Sequence, residues 1–326
     1  MGHHLQFHEF RVRGLPKDFS IDAQFELAKT IYSRHLDDSD GMPVRLTHSQ
    51  QLCTNRVFDN CAIWREPRRQ CQEEAAAVLT NLAKETLFAV KTCKKYHEQR
   101  LPVIMETWGK AAYHLDLISE AEDDVFQTLV LPDIRHNTDR GHCMKTEAIF
   151  KHFRNITTTA GNEDWKWLVI ADDDTILSVA KVLAMLNCYD PDADVAIGQR
   201  YGFRVAGGQS GYDYPTGGAG MIFSRGLVRK MLANKWCKCP TPDHPDDMHI
   251  GSCLATLGVS MVHSDRLHQG RAEDYSPELL NAQDPVSFHK FWSCDPIRTY
   301  HDWFAAADQD LADWVKDTKN KRRDEL

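Results

Sequence analysis

From residue 86 onward, the pattern of apolar and polar positions alternates between short apolar runs and longer amphipathic stretches. Continuous apolar runs are typical of strands buried on both faces, whereas apolar positions at helical spacing indicate helices. The runs predict strands at 87–92, 127–131, 167–171, 195–198 and 258–263. The stretches predict helices at 100–108, 144–153, 176–186, 224–233 and from 245 onward. Strands that alternate with helices predict an α/β fold with a doubly wound, mostly parallel sheet.

The pattern before residue 86 is weaker. Helical spacing predicts a helix over 19–33, and an alanine-rich stretch predicts another over 73–84. Between them, three cysteines lack the paired spacing of zinc sites, which favours disulfides over metal. They are Cys53, Cys61 and Cys71. We interpret residues 1–85 as the remnant of a preceding domain plus a linker.

Three consecutive carboxylates, Asp172, Asp173 and Asp174, end the predicted strand at 167–171. Like charges at such close range repel one another, so a cationic partner is expected beside them. In open α/β sheets, ligands bind beyond the carboxyl ends of the strands. Carboxylate oxygens there suit Mg²⁺ or Mn²⁺ together with substrate phosphates. The alternative is a solvated acidic turn that caps the next helix.

A second acidic pair, Asp246 and Asp247, opens the helix predicted from 245. Carboxylates at a helix start can serve as caps stabilised by the helix dipole, or one of them can act as a general base. The glycine-rich run at 216–224 is neither a Walker loop nor a dinucleotide fingerprint, so it is a close backbone approach to a ligand or only a tight turn. Tyr212 and Tyr214 either stack on a sugar or pack within the protein.

Composition limits the class of ligand and the cellular location. The 326 residues carry a net charge of −8, which argues against broad nucleic-acid binding, and no apolar run is long enough to span a membrane. The ending at 323–326, Arg-Asp-Glu-Leu, resembles the address read by the endoplasmic-reticulum retrieval receptor. Ten cysteines and the acceptor pattern at Asn155 fit that oxidising, glycosylating compartment. The first residues lack the apolar core of a secretory signal, so we expect a signal that this sequence does not contain.

Several separated patches resemble the Fringe-type β-1,3-glycosyltransferases. They are, in order, 88–97, 106–108, 137–143, 172–174, 216–220, 245–247, 267–269 and 287–290. Within that family, the pattern is similar to members that add glucose to O-linked fucose on thrombospondin type 1 repeats. The resemblance covers 86–305. It identifies 1–85 with the end of a non-catalytic N-terminal domain and leaves 306–326 as a tail that carries the retrieval signal.

The resemblance implies a glycosyltransferase-A fold, UDP-glucose as donor, Mn²⁺ or Mg²⁺ as cofactor, and inversion at the anomeric carbon. It makes Asp174 and His268 metal ligands, although a single His among 16 is by itself more often a surface or core residue. It makes Asp247 the base that activates the acceptor hydroxyl, with Asp246 in reserve. The residues it places at the donor are Lys91, Thr92, Arg100, Asp172, Asp173, Gly217 and Gly218.

The resemblance therefore predicts a metal-dependent β-1,3-glucosyltransferase of the endoplasmic-reticulum lumen that acts on fucosylated thrombospondin type 1 repeats. One alternative is a Fringe-like transferase of N-acetylglucosamine, which would share the same motifs. Another is an inactive, lectin-like quality-control subunit. The cysteines are too many to pair by inspection. We take Cys93 with Cys143, and Cys237 or Cys239 with Cys253, as working pairs.

Overall fold

The computed structural model describes residues 77–134, 141–158, 165–205 and 211–313. The predicted helix over 19–33, the three cysteines of the N-terminal region, Asn137–Arg140 of one matching patch and the ending at 323–326 lie outside these ranges. The helix predicted over 73–84 is helical in its described part, 77–84. None of the helices in the described ranges combines the length and apolarity needed to cross a membrane.

The described ranges contain the following strands, numbered in chain order. They are β1 Thr86–Lys91, β2 Leu115–Ile118, β3 Trp167–Asp172, β4 Thr175–Leu177, β5 Ala196–Gly198, β6 Arg200–Phe203, β7 Tyr212–Pro215, β8 Met221–Ser224, β9 Val262–His263 and β10 Ser287–His289. The α-helices are α1 His97–Glu106, α2 His142–Thr158, α3 Val179–Leu186, α4 Arg225–Ala233, α5 Asp246–Leu257, α6 Pro277–Gln283 and α7 Pro296–Trp303. A last helical segment covers 305–313.

The central sheet has the strand order β2-β1-β3-β8-β5-β9. Only β8 runs antiparallel to its neighbours, β3 and β5. One face is covered by the segment at 77–84 with α1, α3 and α7, and the other by α2, α4 and α5. Because both faces are buried, β1 and β3 consist almost entirely of apolar side chains. The predicted α/β fold with a mostly parallel, doubly wound sheet is confirmed.

Two local predictions are wrong. The predicted strand at 127–131 makes a single isolated bridge, from Leu129 to Ile118, and Gln127 has a left-handed φ of 53°. The partner of β1 is instead β2, which the apolar pattern did not reveal because its sequence, LDLI, is short and interrupted. The helix predicted from 176 begins at Val179, where Ser178 caps it. The residues before the cap form β4 because they pair with β10.

Two disulfides join α2, α5 and the segment between α4 and α5. They are Cys143–Cys239 and Cys237–Cys253. The pairing of Cys237 with Cys253 is confirmed. The pairing of Cys93 with Cys143 is wrong, because Cys143 bonds Cys239 and Cys93 is a buried free thiol after β1.

Two small sheets complete the surroundings of the central sheet. β4 and β10 pair antiparallel, which sets His289 opposite Thr175, directly after the acidic triplet. β6 and β7 form a second antiparallel pair, and β7 packs along α5. These two additions bring side chains from distant parts of the sequence to one edge of the central sheet.

Candidate active site

A cleft of about 280 Å³ opens at the carboxyl ends of β1 and β3. The register of the two strands sets Lys91 beside Asp172, so the residues that follow each strand face the same space. The walls of the cleft combine cationic, carboxylate and imidazole side chains. The lining residues are Lys91, Thr92, Cys93, Tyr96, Arg100, His142, Lys145, Asp172, Asp173, Asp174 and His289.

Lys91 connects the acidic triplet to the acidic pair of α5. Its ammonium lies 3.0 Å from Asp172 Oδ1 and donates a short hydrogen bond to Asp246 Oδ2. Burial alone would favour a neutral lysine, but the two carboxylates outweigh it and raise the pKa of Lys91. The lysine is therefore charged, and it joins Asp172 of the triplet to Asp246, which lies 155 positions after the lysine itself.

Asp173 is a buried carboxylate that holds Arg100 in place. Its Oδ2 accepts a hydrogen bond of 2.7 Å from the Thr92 hydroxyl, and its Oδ1 pairs with the Arg100 guanidinium. The guanidinium also lies 3.2 Å from Asp174 Oδ2 and stacks over the Tyr96 ring at 3.8 Å. Burial raises the pKa of Asp173 despite these partners. The arrangement fixes Arg100 at the cleft, where its other donors can meet a phosphate.

Asp172, Asp174 and His289 each offer a ligand atom within 4.8 Å of the other two. His289 Nε2 lies 3.0 Å from Asp174 Oδ1, and its Nδ1 lies 3.2 Å from the Gln269 carbonyl oxygen. A carbonyl that accepts from Nδ1 leaves Nε2 free to bind a metal, an orientation common in metal sites. Two carboxylates and one imidazole suit Mn²⁺, so the residues fit the divalent cation that the sequence predicts.

These charged groups also hold one another in their ionised forms. Burial opposes the charge on His289, but Asp174 and Asp172 raise its pKa above the ordinary value. The same contacts, together with Arg100, lower the pKa of Asp174 despite its burial. A divalent cation would take over the role that the imidazolium proton plays in this pairing.

His268 is not a member of this cluster. It is 2% exposed, stacks on the Phe288 ring at 5.3 Å and lies 4.5 Å from the Tyr275 ring. Burial lowers the pKa of His268 to about 4, so its ring is neutral, and neither ring nitrogen has a hydrogen-bond partner within the described residues. The structure thus joins His289, and not His268, to Asp174; the role predicted for His268 remains a prediction.

Gly217 and Gly218 follow β7 and face the same site. A Cβ at Gly218 would lie 2.3 Å from the His289 ring, so only glycine lets this backbone pass the imidazole. A Cβ at Gly217 would meet Asp172 and Lys91 at ordinary contact distances. The glycine run is therefore a close approach of the backbone to the charged cluster and more than a tight turn.

Asp246 and Asp247 have different surroundings, although they are adjacent at the start of α5. Asp246 is buried, and burial raises its pKa, but Lys91 and a 2.6 Å hydrogen bond from Thr146 lower that pKa to about 2. Asp247 accepts a hydrogen bond from the Met248 backbone N–H, and burial and the charge of Asp246 raise its pKa. Asp247 is thus the better proton acceptor of the two.

Sequence reasoning gave no site role to five residues that line the cleft, which are Cys93, Tyr96, His142, Lys145 and His289. His289 lies in a patch that matched the family, but no role was attached to it because its partner, Asp174, is 115 positions away. Lys145 is buried inside the predicted helix, where its ammonium donates to the Thr92 carbonyl at 2.7 Å and to Glu120 at 2.8 Å. A lysine on the inward face of an amphipathic helix was the available signal for it.

The model of the Fringe-like family matches residues 82–310, which contain every residue of the cleft. The chain belongs to the Fringe-like family. It is 39% identical to the human protein named beta-1,3-glucosyltransferase over 96% of this chain, and 39% identical to the mouse protein of the same name. It is 30% identical to the beta-1,3-N-acetylglucosaminyltransferase radical fringe of Xenopus laevis over 57% of this chain and 59% of the relative.

The match to the two proteins named beta-1,3-glucosyltransferase does not extend over their whole length. The chain spans 58% of the human relative and 59% of the mouse relative. Among solved structures, a glycosyltransferase involved in the glycosylation of the major capsid of PBCV-1 covers 67% of this chain and 98% of its own, at a TM-score of 0.36 and 10% identity, a likeness too low to define the fold.

Proposed function

We propose that this chain is an inverting β-1,3-glucosyltransferase that moves glucose from UDP-glucose to O-linked fucose on thrombospondin type 1 repeats. The observation that carries the proposal is the cluster of Asp172, Asp174 and His289 beside Lys91 and Arg100. It combines a site for a divalent cation with fixed cations in one cleft, as a nucleoside-diphosphate sugar requires. The identity to proteins named beta-1,3-glucosyltransferase supports the choice of glucose.

The metal would be Mn²⁺ or Mg²⁺, held by Asp174, His289 and Asp172. When bound, it supplies positive charge that stabilises the diphosphate as it leaves. Among the chain's own cations, Arg100 lines the same cleft; Asp173 and Asp174 hold one end of its guanidinium, and its remaining N–H donors can meet the diphosphate. Lys91 is already neutralised by two carboxylates, so its role is to hold the site together and to keep Asp246 ionised.

Inversion by a single displacement needs a base on the acceptor side. Asp247 fits this role because its raised pKa lets it take a proton from a sugar hydroxyl. Asp246 is the poorer candidate, since Lys91 and Thr146 hold its carboxylate in the ionised form and occupy it. Its place in the mechanism is to position Lys91 and to raise the pKa of its neighbour.

The donor sugar is tested by an assay with purified protein, Mn²⁺ and a fucosylated thrombospondin type 1 repeat. We expect transfer from UDP-glucose. Transfer from UDP-N-acetylglucosamine in its place would identify the chain as a transferase of the radical-fringe type, which the 30% identity to that protein makes the second candidate. Binding of the fucosylated module without transfer from either donor would support the inactive, lectin-like alternative.

We also propose that the chain acts in the lumen of the endoplasmic reticulum. The ending at 323–326 supports this location, and so do the two disulfides between α2, α5 and the intervening segment, which suit an oxidising compartment. Expression behind a secretory signal tests it. The full chain should be retained in the cell, and removal of the last four residues should release it into the medium.

A further inference from the structure

The β6–β7 hairpin presents an aromatic surface that the proposed donor site does not use. The antiparallel register pairs Tyr201 with Tyr214 and Phe203 with Tyr212, which sets all four rings on one face. The ring centroids are 6.2 Å apart in the first pair and 5.4 Å in the second. We call these four side chains the aromatic hairpin face. Tyr201 is 45% exposed, so part of this face is open to a ligand.

The aromatic hairpin face lies against the helix that carries the proposed base. A Cβ at Gly251 of α5 would lie 2.4 Å from Tyr214 Cβ and 3.0 Å from the Tyr212 ring, so the hairpin touches the helix backbone at this glycine. Asp247 is one helical turn before Gly251, and residues four apart share one face of a helix. The carboxylate of Asp247 therefore stands beside Tyr212 and Tyr214.

The electrostatics agree with this placement. Burial raises the pKa of both tyrosine hydroxyls, and the nearby Asp247 carboxylate raises it further. Both phenols are therefore neutral at physiological pH and can donate or accept hydrogen bonds. Of the cations of the cleft, Arg100 is bound to the acidic triplet, and Lys91 is shared between Asp172 of the triplet and Asp246. The hairpin side of Asp247 is thus mainly aromatic, and its cation is Arg204, whose guanidinium lies over the Phe203 ring at 5.0 Å.

A 6-deoxyhexose suits such a surface. Its methyl group and the C–H bonds of one ring face are apolar and can pack on an aromatic ring, while its hydroxyls can reach a carboxylate and phenols. A nucleotide diphosphate would instead need the cations of the cleft. We propose that the aromatic hairpin face is the subsite for the acceptor fucose and holds the sugar so that one hydroxyl meets Asp247. The inference rests on the proposed function for the identity of the sugar.

The test measures binding, so that it does not depend on turnover. We would titrate a fucosylated thrombospondin type 1 repeat into the protein saturated with UDP and Mn²⁺, using calorimetry. Tyr212→Ala and Tyr201→Ala should each weaken binding by about 10-fold, which corresponds to about 1.4 kcal/mol, within the range for loss of an aromatic contact. Tyr212→Phe should retain most of the affinity, because the ring persists. UDP affinity should be unchanged in all three variants, which also shows that they are folded.

Trp236→Ala is the matched control, because Trp236 is an aromatic residue that is 68% exposed and lies outside the hairpin. It should leave acceptor affinity unchanged. Equal affinity for the wild type, Tyr201→Ala and Tyr212→Ala would overturn the inference even if glucose is transferred. If the wild type binds the module through these tyrosines but transfers no glucose, the proposed function fails and the acceptor subsite stands. The two failures are therefore distinct.

Discussion

Two runs of adjacent aspartates, Asp172 to Asp174 at the end of β3 and Asp246 with Asp247 at the start of α5, differ in their surroundings. In the triplet after β3, every carboxylate has a cationic partner: Lys91 for the first, Arg100 for the second, and His289 with Arg100 for the third. In the pair that opens α5, Lys91 holds Asp246, while Asp247 accepts a backbone hydrogen bond and has a raised pKa.

The comparison separates carboxylates that hold charge from one that can take a proton. In the triplet, cations lower the pKa of Asp174 and oppose the rise that burial causes in the pKa of Asp173, so these carboxylates serve to bind. A carboxylate next to another anion, with burial added, gains proton affinity and suits base catalysis. Adjacency in the sequence therefore says little about role, because partners contributed by other elements decide it. Four predictions test this contrast.

The largest effect is expected for Asp247→Asn. If Asp247 is the base, the amide cannot take the acceptor proton, and kcat should fall by about 100- to 10,000-fold. UDP-glucose affinity, measured by calorimetry, should be unchanged. In the wild type, the base must be ionised, so kcat/KM should fall as pH decreases through the pKa of Asp247, which burial and the charge of Asp246 raise above the ordinary Asp value. Full activity of Asp247→Asn would return the role to Asp246.

Lys91→Met tests the cation that joins the two acidic runs. Removal of the ammonium leaves the buried Asp246 and the half-buried Asp172 without their shared partner, so the free energy of unfolding should decrease by about 3–5 kcal/mol. Urea denaturation measures it. Lys151→Met is the control, because Lys151 is a half-exposed lysine that also pairs with two carboxylates, at 2.7 and 2.9 Å. Lys151→Met should decrease the free energy of unfolding by about 0–1 kcal/mol. Equal losses would contradict the bridging role of Lys91.

The third prediction compares two histidines. His289→Ala should weaken Mn²⁺ binding by about 100-fold, because it removes an imidazole ligand with an ordered partner at Gln269. His268→Ala should leave Mn²⁺ affinity nearly unchanged and lower the melting temperature, because it empties a buried position between Phe288 and Tyr275. Calorimetric Mn²⁺ titration and thermal denaturation give the two readouts. The opposite result would restore His268 as the ligand.

The smallest effect is expected for Gly251→Ala, which tests the contact between the hairpin and α5. The added Cβ overlaps Tyr214 Cβ at 2.4 Å, so the hairpin must move, at a cost of about 1–3 kcal/mol in unfolding free energy. Thr256→Ala, on an exposed position of the same helix, should change stability by no more than about 0.5 kcal/mol. If the two variants are equally stable, the hairpin does not rest on the helix as described.

Much of the fold was predictable, because the buried strands are long enough to dominate their local pattern. β1 and β3 are continuous apolar runs, and α4 begins at the residue after the Ser224 cap. The strands that the pattern missed are short, three or four residues each; they are β2, β4, β6, β7, β8 and β10. Such strands exist because a neighbour supplies the hydrogen bonds, so their own side chains carry little signal.

The sequence alone determined the alternation of strands and helices, the acidic strand end, and the order of motifs that identifies the Fringe-like family. These features are local, since each depends on residues close together in the chain. The partners of the charged groups were decided only by the tertiary structure. His289 reaches Asp174 through the pairing of β10 with β4, and Lys91 reaches Asp246 across the edge of the sheet. Burial and charge at those contacts set the pKa of each group. The contacts exist only after the distant segments have packed together.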